Sequence, residues 1–209
     1  MSESTVTEIF SHELPATPWD PEKKAIEEAK IQVAMIGFCG CWGCHLSFLD
    51  MDENLLGLLE KVTITRSSFT DLKRIPHHCT VGFIEGGIAN DENIEVLEHY
   101  RENCDILISV GACAVWGGVP AMRNVVPLEE CFREAYIDSE TAVPDAKKVI
   151  PYHEDLPKIT TKVAPCHEVV KMDYFIPGCP PDGEAIFKVL DDLVNGREVD
   201  LPSSINRYD

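Results

Sequence analysis

Ile31-Gln32-Val33-Ala34-Met35-Ile36-Gly37-Phe38 runs directly into Cys39-Gly40-Cys41-Trp42-Gly43-Cys44. A short, almost wholly apolar run that stops at glycines predicts a β-strand buried on both faces. Such a strand belongs inside a sheet covered by helices, and three thiols stand just past its carboxyl end. Downstream, Leu46, Leu49, Leu55, Leu56 and Leu59 carry helical spacing with a break around Asp52-Glu53-Asn54. Lys61–Thr65, Thr80–Glu85 and Asp105–Val110 read as further strands, the third closed by Gly86-Gly87 and the fourth by Gly111. Between the last two, Asp91 is expected to cap a helix through Ile94, Leu97 and Tyr100. Tyr174-Phe175-Ile176 is a shorter fifth strand, followed by Pro177-Gly178. A final helix begins near Asp182 and carries Ile186, Val189, Leu190 and Leu193 on one side.

Strands alternating with helices predict an α/β fold: a flavodoxin-like, doubly wound, mostly parallel sheet. The expected organisation is an acidic arm over 1–28, broken by Pro15, Pro18 and Pro21, and one domain over 29–209. Residues 114–171 fit the alternation poorly. They hold a predicted helix near Leu128–Tyr136 and a long connection punctuated by Pro144, Pro151, Pro157 and Pro165. A connection of that length usually covers or contacts something.

The 209 residues are 44% hydrophobic and 26% charged, and the net charge is −18. So acidic a surface repels phosphate backbones and anionic lipid, which excludes nucleic acid and membrane surfaces as expected partners. The uncharged stretch Ile31–Leu49 approaches membrane-spanning length but is interrupted by Gly37, Gly40, Gly43 and His45. Met1-Ser2-Glu3-Ser4 is acidic and the first arginine is Arg66, so no export signal is read and the expected location is cytoplasmic.

Nine cysteines (39, 41, 44, 79, 104, 113, 131, 166 and 179) make an odd number, and a reducing cytoplasm disfavours a disulfide framework. Cys41 and Cys44 follow the first strand, Cys113 the fourth and Cys179 the fifth. All four therefore fall at the carboxyl edge of the sheet, where open α/β folds bind ligands. Glycines 40, 43, 111 and 178 flank them and permit close approach to a bulky group. Cys44 and Cys179 are also expected just ahead of helices, whose N-terminal ends favour thiolate. Four thiolates fit structural zinc or an iron–sulfur cluster. One close pair joined by two remote single cysteines favours the cluster over zinc, which usually draws on two close pairs. Cys79, Cys104 and Cys131 are expected as buried apolar filler. Cys39 sits at the strand end and is set aside as a non-ligand, while Cys166 has no assigned role. Glu85, closing the third strand, is read either as facing the crevice or as a solvated carboxylate. His77-His78 reads as a solvated turn, and FMN at the carboxyl edge stays open as a second cofactor.

Cys41-Trp42-Gly43-Cys44, Gly111-Ala112-Cys113-Ala114 with Gly117-Gly118-Val119-Pro120, and Phe175-Ile176-Pro177-Gly178-Cys179-Pro180-Pro181 resemble the small subunit of nickel–iron hydrogenases. The cluster-bearing quinone-reductase subunit of respiratory complex I is similar over the same region, roughly Lys30 to Leu193. The resemblance implies that Cys41, Cys44, Cys113 and Cys179 hold one proximal 4Fe–4S cluster. It also implies a large subunit carrying the nickel–iron site, where dihydrogen is split. Two departures sharpen it. No cysteine or histidine follows Cys179, so ligands for medial and distal clusters are not expected, and Cys41 and Cys44 are not adjacent as in the complex I subunit. The chain therefore looks most like the small subunit of the soluble NAD-reducing hydrogenase. In that family a diaphorase with flavin and iron–sulfur clusters passes electrons to NAD. Short small subunits of methanogen hydrogenases are the nearest competitors, and a zinc-stapled interaction module is the alternative of another class.

Overall fold

The strands of the computed structural model are β1 (Ile31–Gly37), β2 (Val62–Arg66), β3 (Cys79–Glu85), β4 (Ile88–Asn90), β5 (Cys104–Val110), β6 (Ile159–Ala164) and β7 (Tyr174–Ile176). The helices are α1 (Gly43–Leu49), α2 (Glu53–Leu59), α3 (Asp91–Asn103), α4 (Gly111–Trp116), α5 (Leu128–Tyr136) and α6 (Gly183–Val194). The structure describes residues 30–70, 78–141, 143 and 148–206. The expected arm over 1–28, His77 and Pro144 lie outside the described residues.

Five strands form one parallel sheet in the order β2-β1-β3-β5-β7. The chain leaves β1 for β2 on one side and returns to β3 on the other. That reversal opens a crevice at the carboxyl ends of β1 and β3. Alternate side chains serve opposite faces. Val33 and Met35 of β1 join Ile108 and Val110 of β5 against Phe48, Ile186 and Leu190. Ala34 and Leu107 turn the other way, toward Leu97 and Tyr100 of α3. The buried Tyr100 hydroxyl donates to the Met35 carbonyl at 3.3 Å, tying α3 to the central strand.

The sequence reading of the five sheet strands holds, with ends moved by about one residue. Two points are corrected. Asn90, not Asp91, caps α3: its side chain accepts from Asn93 N–H at 2.7 Å, and Asp91 begins the helix. The 114–171 connection also contains a strand. β6 pairs antiparallel with the three-residue β4, which follows the glycine turn too closely to read as a strand by itself. Asn124 bonds both ways with the Val163 backbone at 2.8 Å, and the Arg123 guanidinium donates to the Thr160 and Thr161 carbonyls. The connection is thus strapped back over the Gly86-Gly87 turn.

Strand β7 is only three residues long, yet it must place the loop carrying Cys179. Asp173 fixes it. Its carboxylate accepts from Leu107 N–H of β5 at 2.9 Å and from Arg101 at 2.6 Å, and Arg101 also donates to the Lys171, Cys104 and Asp105 carbonyls. Burial alone would raise the Asp173 carboxyl, but the bonds from Arg101 and Leu107 outweigh it and hold the group below the usual carboxylate range. A depressed folded-state pKa gives stability that is present above about pH 4, the unfolded value, and is lost as pH falls through the folded one. Asp173→Ala is expected to cost about 2 kcal/mol at neutral pH. The deficit against wild type shrinks below about pH 4, as measured by thermal unfolding across that range.

Candidate metal centre

Three loops at the carboxyl edge bring four cysteines together. Cys41 lies in the loop after β1, and Cys44 is the second residue of α1 rather than ahead of it. Cys113 is the third residue of α4, directly after β5, and Cys179 follows β7. Gly111 is where these loops meet. It adopts φ +83°, and a Cβ there would stand 2.2 Å from Cys44 Sγ and 3.5 Å from the Gly178 carbonyl. Only glycine allows that approach. Ala112 N–H donates to the same Gly178 carbonyl at 2.8 Å, so the β5 and β7 loops are joined. A Cβ on Gly43 would lie 3.2 Å from Cys41 Sγ and 3.7 Å from Pro180 Cβ, which places Cys41 beside the residue after Cys179.

The electrostatics agree. Burial pushes the Cys44 thiol up, and the neighbouring charges of Glu85, Cys113 and Cys41 push it further. Burial likewise raises Cys113, followed by the influence of Cys179 and Cys41. For Cys44 and Cys113, burial among neighbouring thiols is an unfavourable place to ionise without a cation. A positively charged inorganic core reverses that balance, because thiolates then gain a cation instead of facing only each other. The donor set and the glycine clearance both fit an iron–sulfur cluster. Cys41 and Cys179 are exposed and Cys44 and Cys113 half-buried, so one edge of the pocket opens outward.

Cys39 exchanges two backbone hydrogen bonds with Gly87, at 3.0 and 2.8 Å. Cys79 and Cys104 are buried and in register at the amino ends of β3 and β5, the far end of the sheet. Cys166 is buried with its thiol 3.6 Å from the Gly86 carbonyl. Cys131 corrects an expectation: it is half-buried on α5, a helix with no buried residue.

Glu85 closes β3 at the switch point and is 4% exposed, which decides against the solvated reading. Its carboxylate accepts from Cys44 N–H at 3.3 Å, from His45 N–H at 3.0 Å and from His45 Nδ1 at 2.5 Å. The sequence reading gives His45 no role at the site. Its one available signal is position, immediately after Cys44. Its ring is buried beside Trp42 and Phe69, with centroids 4.9 and 5.6 Å away. Met35, Phe48, Phe83 and Ile186 form the apolar floor beneath Cys44, His45 and Glu85. The cysteine loops and their flanks also carry exposed apolar side chains, Trp42, Leu46, Trp116, Val119 and Phe175. His78 is solvent-facing, as expected, with Nε2 3.4 Å from Asp105.

The family described as NADH ubiquinone oxidoreductase, 20 Kd subunit, matches residues 41–193, from the first of the four cysteines to the last helix. The chain belongs to this family. It is 76% identical over 202 residues to the protein named NAD-reducing hydrogenase HoxS subunit delta of Cupriavidus necator, with 97% of each chain covered. It is 42% identical over 178 residues to one subunit of the F420-non-reducing hydrogenase of Methanothermobacter marburgensis. That match covers 84% of this chain and 57% of the methanogen protein. A chain in the crystal structure of an NAD+-reducing NiFe-hydrogenase in the H2-reduced state superposes with a TM-score of 0.81 at 43% identity. The match covers 86% of this chain and 99% of that one. The hydrogenase small-subunit resemblance read from three cysteine motifs therefore extends over nearly the whole family domain. Among the described residues no helix is long and apolar enough to cross a membrane.

Proposed function

We propose that the chain is the electron-relay small subunit of a cytoplasmic NAD-reducing nickel–iron hydrogenase, with Cys41, Cys44, Cys113 and Cys179 holding one 4Fe–4S cluster. The observation that carries the reading is the meeting of the β1, β5 and β7 loops around Gly111, with the four thiols gathered there. When bound, the cluster moves single electrons between partners. The chain's own residues do the rest. Thiolates from three remote loops hold it, and the apolar floor keeps water from its inner side. The open edge at Cys41 and Cys179 leaves a path toward a partner.

One close cysteine pair joined by two remote single cysteines favours the cluster over the zinc alternative. The exposed apolar rim, with Val119 at 67% and Leu46 at 60% exposure, supports docking to a large subunit that carries the nickel–iron site. Diaphorase subunits with flavin and iron–sulfur clusters would take electrons onward to NAD, in keeping with the NAD-reducing activity in the name of the Cupriavidus relative.

Anaerobic purification through a tag on this chain tests the reading. The expected result is co-elution of a nickel-containing subunit and a flavin-containing one, with hydrogen-dependent formation of NADH. Recovery of the chain alone, with zinc and no iron, would overturn it.

A further inference from the structure

We infer that Glu85, held by His45, is the positioning residue of the cysteine pocket: from the end of β3 it caps α1 and so fixes the Cys41–Cys44 loop. The inference rests on the reading that this loop supplies two cluster ligands. The first N–H groups of a helix have no partner inside the helix, and leaving them unpaired in a buried place is costly. At α1 the capping position is Trp42, in the left-handed region at φ 64°, and its side chain makes no capping bond. An aspartate or serine there would cap locally at little cost.

The Trp42 side chain has another task. Its ring lies on the end of β1, where a Cβ at Gly37 would stand 2.8 Å from it, and beside His45. The cap is supplied instead by a different strand. Glu85 Oε1 takes Cys44 N–H and Oε2 takes His45 N–H, while His45 Nδ1 holds Oε2 from the side. Burying a carboxylate to 4% exposure is expensive unless its oxygens are well paired, and three N–H groups converge on these two. β3 lies between β1 and β5, so this one side chain ties the first ligand loop to the strand beside the second.

Two consequences follow for a bound cluster. Cys44 Sγ is held at the Gly111 contact because its own N–H is anchored. The carboxylate also places negative charge beside the cluster and opposes the arrival of an electron. Glu85→Gln keeps an acceptor oxygen and removes the charge. It is expected to keep the iron of the wild-type complex while moving the midpoint potential of this cluster to a more positive value. Glu85→Ala removes the cap, and loss of such a supporting contact costs about 10–100-fold in metal affinity. The iron content of the purified complex should fall and this cluster's electron paramagnetic resonance signal should disappear.

Both variants are measured as the complete complex, reduced chemically rather than by hydrogen, so that neither readout depends on turnover. Wild-type signal, potential and iron content in both variants would overturn the positioning role alone and leave the ligand reading standing. Absence of any 4Fe–4S signal assignable to these cysteines in the wild-type complex would overturn both.

Discussion

Cys113→Ser is expected to remove the 4Fe–4S signal of this chain, or to leave a three-iron remnant, and to lower hydrogen-driven NAD reduction by more than about 100-fold. Loss of a supporting contact outside the ligand shell already costs about 10–100-fold, so loss of a ligand costs more. Serine is nearly isosteric with cysteine, and Cys113 is only half-buried at the start of α4, so the fold survives the change. Cys79→Ser is the control. Cys79 is fully buried, lies at the opposite end of β3 and donates to the Gln32 carbonyl at 3.3 Å, a bond that a hydroxyl also makes. It should keep both signal and activity. Electron paramagnetic resonance of the reduced complex and a hydrogen–NAD assay read the two outcomes side by side.

Gly111→Ala is expected to empty the site through geometry instead of chemistry. The new methyl would stand 2.2 Å from Cys44 Sγ, well inside van der Waals contact, in a backbone conformation at φ +83° that disfavours any side chain. The left-handed backbone itself costs about 1–3 kcal/mol. The sulfur must move by more than about 1 Å to reach ordinary contact distance, and ligand atoms so displaced no longer meet one cube. Gly196→Ala separates the two effects. Gly196 is also left-handed, at φ +66°, but nothing stands within 4 Å of the added methyl. The expectation is a loss of thermal stability in both variants, larger in Gly111→Ala because of the added clash, with iron lost only from Gly111→Ala. Equal iron in the two would remove Gly111 as the meeting point of the ligand loops.

The parallel sheet was legible because β1, β3 and β5 are buried on both faces and write that fact as unbroken apolar runs. Once those runs were placed, the carboxyl-edge rule located Cys41, Cys44, Cys113 and Cys179 without knowledge of any contact. Features made by tertiary pairing were not legible. β4 has three residues, too few for a periodic signal, and exists because β6 returns to it from far downstream, pairing Ile88 with Ala164 and Asn90 with Ile159. Glu85 and His45 are 40 residues apart, so neither announces the other. Glu85 looked as much like a surface carboxylate as a buried one until its partners were seen. Asn90 and Asp91 are both residue types that cap well, and only the observed bond to Asn93 N–H identifies Asn90 as the cap.

Anomalous diffraction at the iron edge from anaerobic crystals of the complex asks the central question most directly. The expected result is one compact cluster of four irons between the β1, β5 and β7 loops, with each iron bonded to one of the sulfurs of Cys41, Cys44, Cys113 and Cys179. An iron site bonded to Cys39 or Cys166 in place of one of these, or no iron among the four, would contradict it.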